Sequence, residues 1–158
     1  MNTIKGDLMS HARFGHFDVI VHGCNCFNNM GAGIAQQIKH YFPKAYYADL
    51  NTTKGDVNKL GTYSFAVCDA DFALDANAKF VVVNAYTQYN FGGRKVNLDY
   101  EALRTVFKTI INDFPGCRIG IPRVGAGYAG GDWEKIKNII KDELNQNNND
   151  VEITVVEI

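Results

Sequence analysis

The stretch Val21-His-Gly-Cys-Asn-Cys-Phe-Asn-Asn-Met-Gly-Ala-Gly-Ile-Ala35 decides how the chain is read. An apolar run, Val19-Ile20-Val21, leads into it. Ile34, Ala35, Ile38, Tyr41 and Phe42 follow at helical spacing. The order is therefore strand, polar turn, glycine-rich turn, helix. Gly31 and Gly33 carry no Cβ, so the backbone can bend sharply there and come close to a ligand. The helix behind them points unpaired N–H groups and a partial positive charge back at the turn. Such an end takes an anion, most often a phosphate.

A second stretch repeats the arrangement. Arg118-Ile-Gly-Ile-Pro122 reads as a strand, Arg123 to Gly131 as a glycine-rich turn, and Asp132-Trp-Glu-Lys-Ile136 as the start of a helix. One such loop is a weak signal, because tight strand-to-helix turns need glycine in any case. Two of them, each with Gly-Ala-Gly, point to a ligand with two linked phosphates held from both sides. A side chain at Gly33 or Gly125 is then expected to strike the phosphate or demand a costly backbone angle. Binding should be lost in a protein that still folds.

A chain of 158 residues suits a single domain, residues 1–158, with one proper core. With 46% apolar and 21% charged residues it should be globular rather than disordered. The net charge of −1, with no basic block, gives no nucleic-acid footprint. A nucleotide-sized ligand stays possible, since backbone N–H groups bind phosphate without Lys or Arg. Cys68 and Cys117 fall in apolar runs and act as small hydrophobes. Cys24-Asn25-Cys26 has no matching Cys/His pair, so no zinc site is expected. No signal peptide and no bilayer-spanning run is read, which gives a reduced, cytoplasmic protein, expected as a monomer.

In order along the chain, residues 1–5 read as a first strand, ended by Gly6-Asp7-Leu8, and residues 9–17 as a connection. Residues 18–22 are a buried strand and 32–42 the helix already described. Pro43 stops or restarts that helix, with a further turn or two over 44–50. Residues 51–59 loop. Residues 61–68 alternate as a strand, 69–78 turn, and 79–84 form a strand buried on both faces. Residues 86–97 read as a long polar and aromatic loop, of the kind that is often functional. Asn97 can cap the next helix, whose apolar face is Leu103, Val106, Phe107, Ile110, Ile111 and Phe114. Residues 117–122 are the strand before the second glycine loop, 132–144 the last helix, 145–150 a turn and 151–158 a final strand. Strands alternate with helices, so the expected fold class is α/β, a three-layer α/β/α sandwich on a mixed, mostly parallel sheet. Ligands in such sheets bind beyond the carboxyl ends of the strands, where both glycine loops lie.

Taken in this order, the motifs resemble those of the macro domain family, which binds ADP-ribose. Gly6-Asp7-Leu8 looks like the family's early Gly-Asp-hydrophobic motif. His22-Gly-Cys-Asn25 sits where many members have Asn-Ala-Ala-Asn. Met30-Gly-Ala-Gly-Ile-Ala35 and Pro122-Arg-Val-Gly-Ala-Gly127 look like its two diphosphate loops. The resemblance covers nearly the whole chain. It is nearest the branch of ADP-ribose-1″-phosphate phosphatases and of a glycohydrolase that removes ADP-ribose from glutamate. That glycohydrolase uses a lysine after the fourth strand and an aspartate in the second glycine loop. Here Thr87-Gln88 and Tyr128-Ala129 occupy those regions, which argues against its covalent mechanism.

The resemblance implies roles for single residues. Asp7 would accept a hydrogen bond from the adenine amino group; otherwise it is a solvated turn residue. Leu8 and Ile158 would lie near the base or simply pack. No aromatic near the end of the last strand offers to stack on it. Asn25 would bind the distal ribose, or cap its turn, a common use of Asn. Met30, Gly31, Ala32, Gly33, Ile34 and Ala35 would give backbone N–H groups to the phosphates. Arg123, Val124, Gly125, Ala126, Gly127, Tyr128 and Ala129 would do the same from the second loop. His22 could donate a proton or position a water, or be a satisfied structural histidine. Asp132 could serve as general base, or as an N-cap. Arg94 and Lys95 could reach a terminal phosphate, or form a solvated loop tip. The expected activity is hydrolysis of ADP-ribose-1″-phosphate, with His22 and Asp132 as acid–base candidates, no metal and no cofactor. The alternatives are a hydrolase removing ADP-ribose from macromolecules and a pure binding module. A nicotinamide-dependent oxidoreductase fits less well, since the first loop lacks a full Gly-X-Gly-X-X-Gly pattern.

Overall fold

The computed structural model describes residues 1–93 and 95–158. In chain order these form β1 (Asn2–Lys5), α1 (Leu8–Arg13), β2 (Val19–Asn25), α2 (Gly33–Tyr41), α3 (Pro43–Leu50), β3 (Tyr63–Asp69), β4 (Lys79–Gln88), α4 (Tyr100–Asp113), β5 (Arg118–Ile121), α5 (Trp133–Asn147) and β6 (Glu152–Glu157), with one 3₁₀ turn at Val57–Lys59. The six strands make one sheet in the order β1-β6-β5-β2-β4-β3. Every pair is parallel except β3 with β4.

The period-two alternation of the strands sorts side chains to two faces. Val19, Val21, Val83, Ala85, Ile119 and Ile121 point to one side, under Leu103, Phe107 and Ile110 of α4 and Ile136 and Ile140 of α5. Ile20, Phe80 and Val82 point to the other, under α1, α2 and α3 through Met9, Ala12, Ile38, Phe42 and Ala45. The expected three-layer α/β sandwich is therefore the observed one. Each fully buried aliphatic side chain contributes about 1.5–3 kcal/mol, so this pattern fixes the register of the central strands.

Several local expectations need correction. Residues 9–17 are not a plain connection, because α1 begins at Leu8. Asp7 caps it, accepting from the Met9 N–H (3.3 Å) and the Ser10 hydroxyl (2.8 Å), while Leu8, Met9 and Ala12 turn inward. Six residues are too short for periodicity to show. β2 does not end at His22 but continues to Asn25, and β4 runs on through Tyr86 and Thr87 to Gln88. Where they pair, Cys24 opposes Tyr86 and Asn25 opposes Gln88, so Thr87 is the extra residue of a bulge. The helix cap after the long loop is Asp99, accepting from the Ala102 N–H at 3.0 Å. Asn97 instead donates to the Gly92 carbonyl. α5 takes up residues assigned to the following turn and runs to Asn147.

The two edges of the sheet differ. β1 pairs with β6 alone and is exposed along its four residues. β3 shows the expected alternation, yet Phe65 and Val67 are exposed, because they lie beyond the cover of α4.

Candidate functional site

β2 and β5 both end in glycine loops at the same edge of the sheet, and a trough runs across that edge. One segment, about 520 Å³, lies between the two loops, against Gly33, Ile34, Gly125, Gly127, Tyr128 and Trp133. The other, about 530 Å³, lies beyond them against Lys5, Asp7, Leu8, Gln37, Val156 and Ile158. Gly33, Ile34, Pro122 and Arg123 line both, so the segments share a waist and can take one extended ligand. Each has the size of an ordinary small-molecule site.

The loop segment is lined by backbone donors. α2 starts at Gly33 with Ala32 as N-cap and no side-chain hydrogen bond there. By contrast α1, α4 and α5 are capped by Asp7, Asp99 and Asp132. The first N–H groups of α2 are left for a ligand, along with the positive end of the helix dipole. In the second loop the N–H groups of Gly125, Gly127, Tyr128 and Ala129 have no hydrogen-bond acceptor among the described residues. Among those residues Arg123 is the one charged side chain lining this segment. Gly33 (φ 59°) and Gly125 (φ 77°) hold left-handed backbone that favours glycine. The Tyr128 ring lies over Gly33, 3.1 Å from where a Cβ would be, and so links the loops.

The outer segment is mixed. Leu8, Ile34 and Val156 offer apolar walls, and Asp7 and Glu157 offer acceptors. Glu157 Oε1 takes both Arg123 Nε and Nη2 at 2.7 Å, and Lys5 stands 3.7 Å from Oε2. The Arg123 guanidinium, and then Lys5, hold the Glu157 carboxyl below its ordinary pKa.

No model of a protein family matches the chain. A protein of Enterobacteria phage T4, described as an uncharacterized 17.5 kDa protein in the tk-vs intergenic region, is 40% identical over 143 residues, 87% of this chain and 85% of that protein. An ADP-ribose 1″-phosphate phosphatase of Candida albicans is 27% identical over 149 residues, 88% of this chain and 90% of the enzyme. Among solved structures, the macrodomain of Thermus aquaticus DarG superposes with a TM-score of 0.70 at 22% identity, over 99% of this chain and 97% of that one. Thermosipho africanus DarTG in complex with ADP-ribose gives 0.71 at 16% identity, over 98% of this chain and 42% of that one. The chain has the macro domain fold.

The sequence-predicted site residues of this macro domain divide. Asp7, Leu8 and Ile158 meet in the outer segment, and Ala32, Gly33, Ile34, Ala35 and the second loop from Arg123 to Ala129 line the loop segment. Met30 and Gly31 line neither. Met30 is buried in the core beneath α2, and the Gly31 N–H donates to Asn29 Oδ1. Asn25 is spent on its own turn: Oδ1 accepts from Phe27 N–H at 2.9 Å and Nδ2 donates to the Asn29 carbonyl at 2.9 Å. Arg94 lies outside the described residues, and Lys95 lines neither segment.

The two acid–base candidates, His22 and Asp132, do not line the trough. His22 is not beside the loop but inside the sheet, fully buried in the middle of β2. Its Nε2–H donates to Asn84 Oδ1 at 2.6 Å, and Asn84 Nδ2 donates on to the Ala45 carbonyl and to Ser64. Burial pushes the imidazole pKa down to about 4, against the opposing pull of Asn84, so the ring is neutral at pH 7. Asp132 Oδ1 accepts from the Glu134 N–H at 3.0 Å and caps α5; its side chain does not line the trough.

Sequence reasoning missed Gly23, Gln37, Trp133 and Glu157, which line the trough, and Lys59. The Lys59 ammonium is buried, donating to the Cys26 carbonyl (3.1 Å) and Asn28 Oδ1 (2.7 Å), and pins the turn after β2. Thr87 Oγ1 lies beneath Gly23, 2.8 Å from where a Cβ would stand. It is the buried side-chain polar atom left without a partner among the described residues. The lone tryptophan directly after a glycine loop was the available signal for Trp133; none pointed to Lys59.

Proposed function

We propose that this macro domain binds ADP-ribose and its derivatives, and that it hydrolyses ADP-ribose-1″-phosphate. The observation that carries the reading is the two-segment trough, whose waist joins a base-sized pocket to a cradle of unpaired N–H groups. The base would lie against Leu8 and Val156 with its amino group toward Asp7. The diphosphate would lie between the α2 N-terminus and the Gly125–Ala129 backbone. Hydrogen bonds to a charged group contribute about 1.5–3 kcal/mol each, so four of them support roughly micromolar affinity.

Hydrolysis draws its support from the relatives that carry that activity in their names. With His22 buried and Asp132 capping, water attack would rely on the substrate. The water oxygen forms the new bond to phosphorus as the bond to the 1″ oxygen breaks. One water proton passes by way of a phosphate oxygen to the departing 1″ oxygen, and the other stays on the released phosphate. A pure ADP-ribose reader is the second reading, favoured by the absence of any carboxylate or imidazole lining the loop segment among the described residues. A hydrolase acting on ADP-ribosylated macromolecules needs the same trough.

The test is calorimetry with ADP-ribose, with and without chelator, followed by incubation with ADP-ribose-1″-phosphate and with ADP-ribosylated protein. Binding unaffected by chelator and release of inorganic phosphate support the full reading. Binding without either hydrolysis supports the reader. No heat of binding at millimolar ADP-ribose overturns both.

A further inference from the structure

We propose that the Arg123 guanidinium is the stacking platform for the ligand's base, deepening the ADP-ribose reading on which it rests. No aromatic ring lines the outer segment, where the base would lie, among the described residues. A flat heterocycle bound there stacks best on a flat surface, and among the described residues lining the segment Arg123 supplies the one planar, delocalised cation. Its plane is fixed before any ligand arrives. Both Nε and Nη2 are 2.7 Å from Glu157 Oε1, and Lys5 stands 3.7 Å from the other oxygen of the same carboxylate. That clamp removes much of the rotamer freedom that would oppose stacking. It also pairs the charge, so the group presents a face more than a free cation.

The two faces of the guanidinium are not equivalent. Trp133 is 5.7 Å from Cζ, ring centroid to carbon, within the range of a cation–π contact. The Arg123 side chain nevertheless remains 54% exposed. Pro122 fixes the backbone just before it, and Arg123 itself lines both segments of the trough. A base seated against Leu8 and Val156 therefore has the guanidinium within the same pocket wall, at the waist where the nucleoside gives way to phosphate. The rival role for such a residue is direct pairing with the diphosphate.

The two roles separate with two probes: ADP-ribose, and a base-free analogue in which two riboses are joined through a diphosphate. Arg123→Lys keeps the charge and loses the plane. Stacking predicts that it weakens ADP-ribose by about tenfold and leaves the analogue within about twofold. In the wild-type chain, the Arg123 Nε–H resonance should move upfield with ADP-ribose and stay in place with the analogue. Glu157→Gln, which loosens the clamp, should weaken ADP-ribose alone by a smaller factor. Melting temperatures of both variants confirm the fold. Equal loss for both probes, an unchanged affinity, or an unshifted resonance each overturn the platform while the ADP-ribose reading stands. A wild-type chain that does not bind ADP-ribose overturns that reading and this proposal together.

Discussion

Gly125 and Gly127 stand two residues apart in one loop, and a side chain would meet different things at each. At Gly125, φ is +77° and an added Cβ falls 2.8 Å from Leu98 Cδ1. The obstacle there is the protein's own core, so the expectation that a Gly125→Val chain stays folded is replaced. Gly125→Val should lower stability by about 1–3 kcal/mol, read as a fall in melting temperature without ligand. At Gly127 no atom of the described residues lies within 4 Å. Gly127→Val should therefore melt close to the wild type yet lose at least about tenfold in ADP-ribose affinity by calorimetry. Unchanged affinity would remove the second loop from the diphosphate site. Thr87 makes the opposite kind of case. A buried hydroxyl without a partner costs about 1–3 kcal/mol, so Thr87→Val should raise the melting temperature by a few degrees. A fall would mean that the hydroxyl is satisfied.

At the scale of an element, the open end of α2 is the feature to test. Three helices of this chain begin on aspartate and α2 begins on Ala32, whose extended backbone (φ −145°, ψ 158°) already has N-cap form. Ala32→Asp should stabilise the free protein by about 1 kcal/mol, since aspartate satisfies an N–H group and complements the dipole. The same carboxylate would occupy the donors meant for phosphate and repel its charge, so ADP-ribose binding should fall by more than about tenfold. A higher melting temperature with weaker binding is the expected pair of results. Stabilisation with full affinity would show that the phosphates do not use this helix end. Much of this was legible in the sequence. The apolar lead-in at residues 19–21 and the helical spacing after Gly33 give strand, loop and helix in the right order, and Leu103 to Ile111 mark the buried face of α4. The length of β2 was not legible, because Gly23 and Asn25 are turn-forming types and only pairing with β4 keeps them in the strand.

For the whole molecule, acid sensitivity follows from His22. Its pKa is about 4 in the folded chain, against an ordinary 6.5. The unfolded state therefore binds the proton first, and stability is full above pH 6.5 and lost as the pH falls toward 4. Between pH 7.5 and pH 5 the loss should be about 2 kcal/mol, read by urea unfolding at each pH. His22→Asn should lose most of that slope; an unchanged slope would assign it elsewhere. This role could not be seen in the sequence. Asn84, the partner that decides it, is 62 positions away, and the same residue read locally is a histidine next to a glycine loop. The outer segment of the trough was hidden for the same reason. Lys5, Arg123 and Glu157 come from three separate parts of the chain and meet only because β1, β6 and β5 are neighbours.

That neighbourhood has a consequence in time as well as in space. β1 is four residues long, exposed throughout, and bonded on one side only. Lys5, Gly6 and Asp7, one wall of the outer segment of the trough, hang from it. Local opening should be cheapest there, so the amides of residues 3–6 should exchange with deuterium far sooner than those of β2. A nucleotide seated against Asp7 and Leu8 would tie this strand down, and part of its binding free energy would go into ordering it. Slowed exchange in β1 on adding ADP-ribose, with β2 unaffected, would be the signature of a pocket completed by its own ligand.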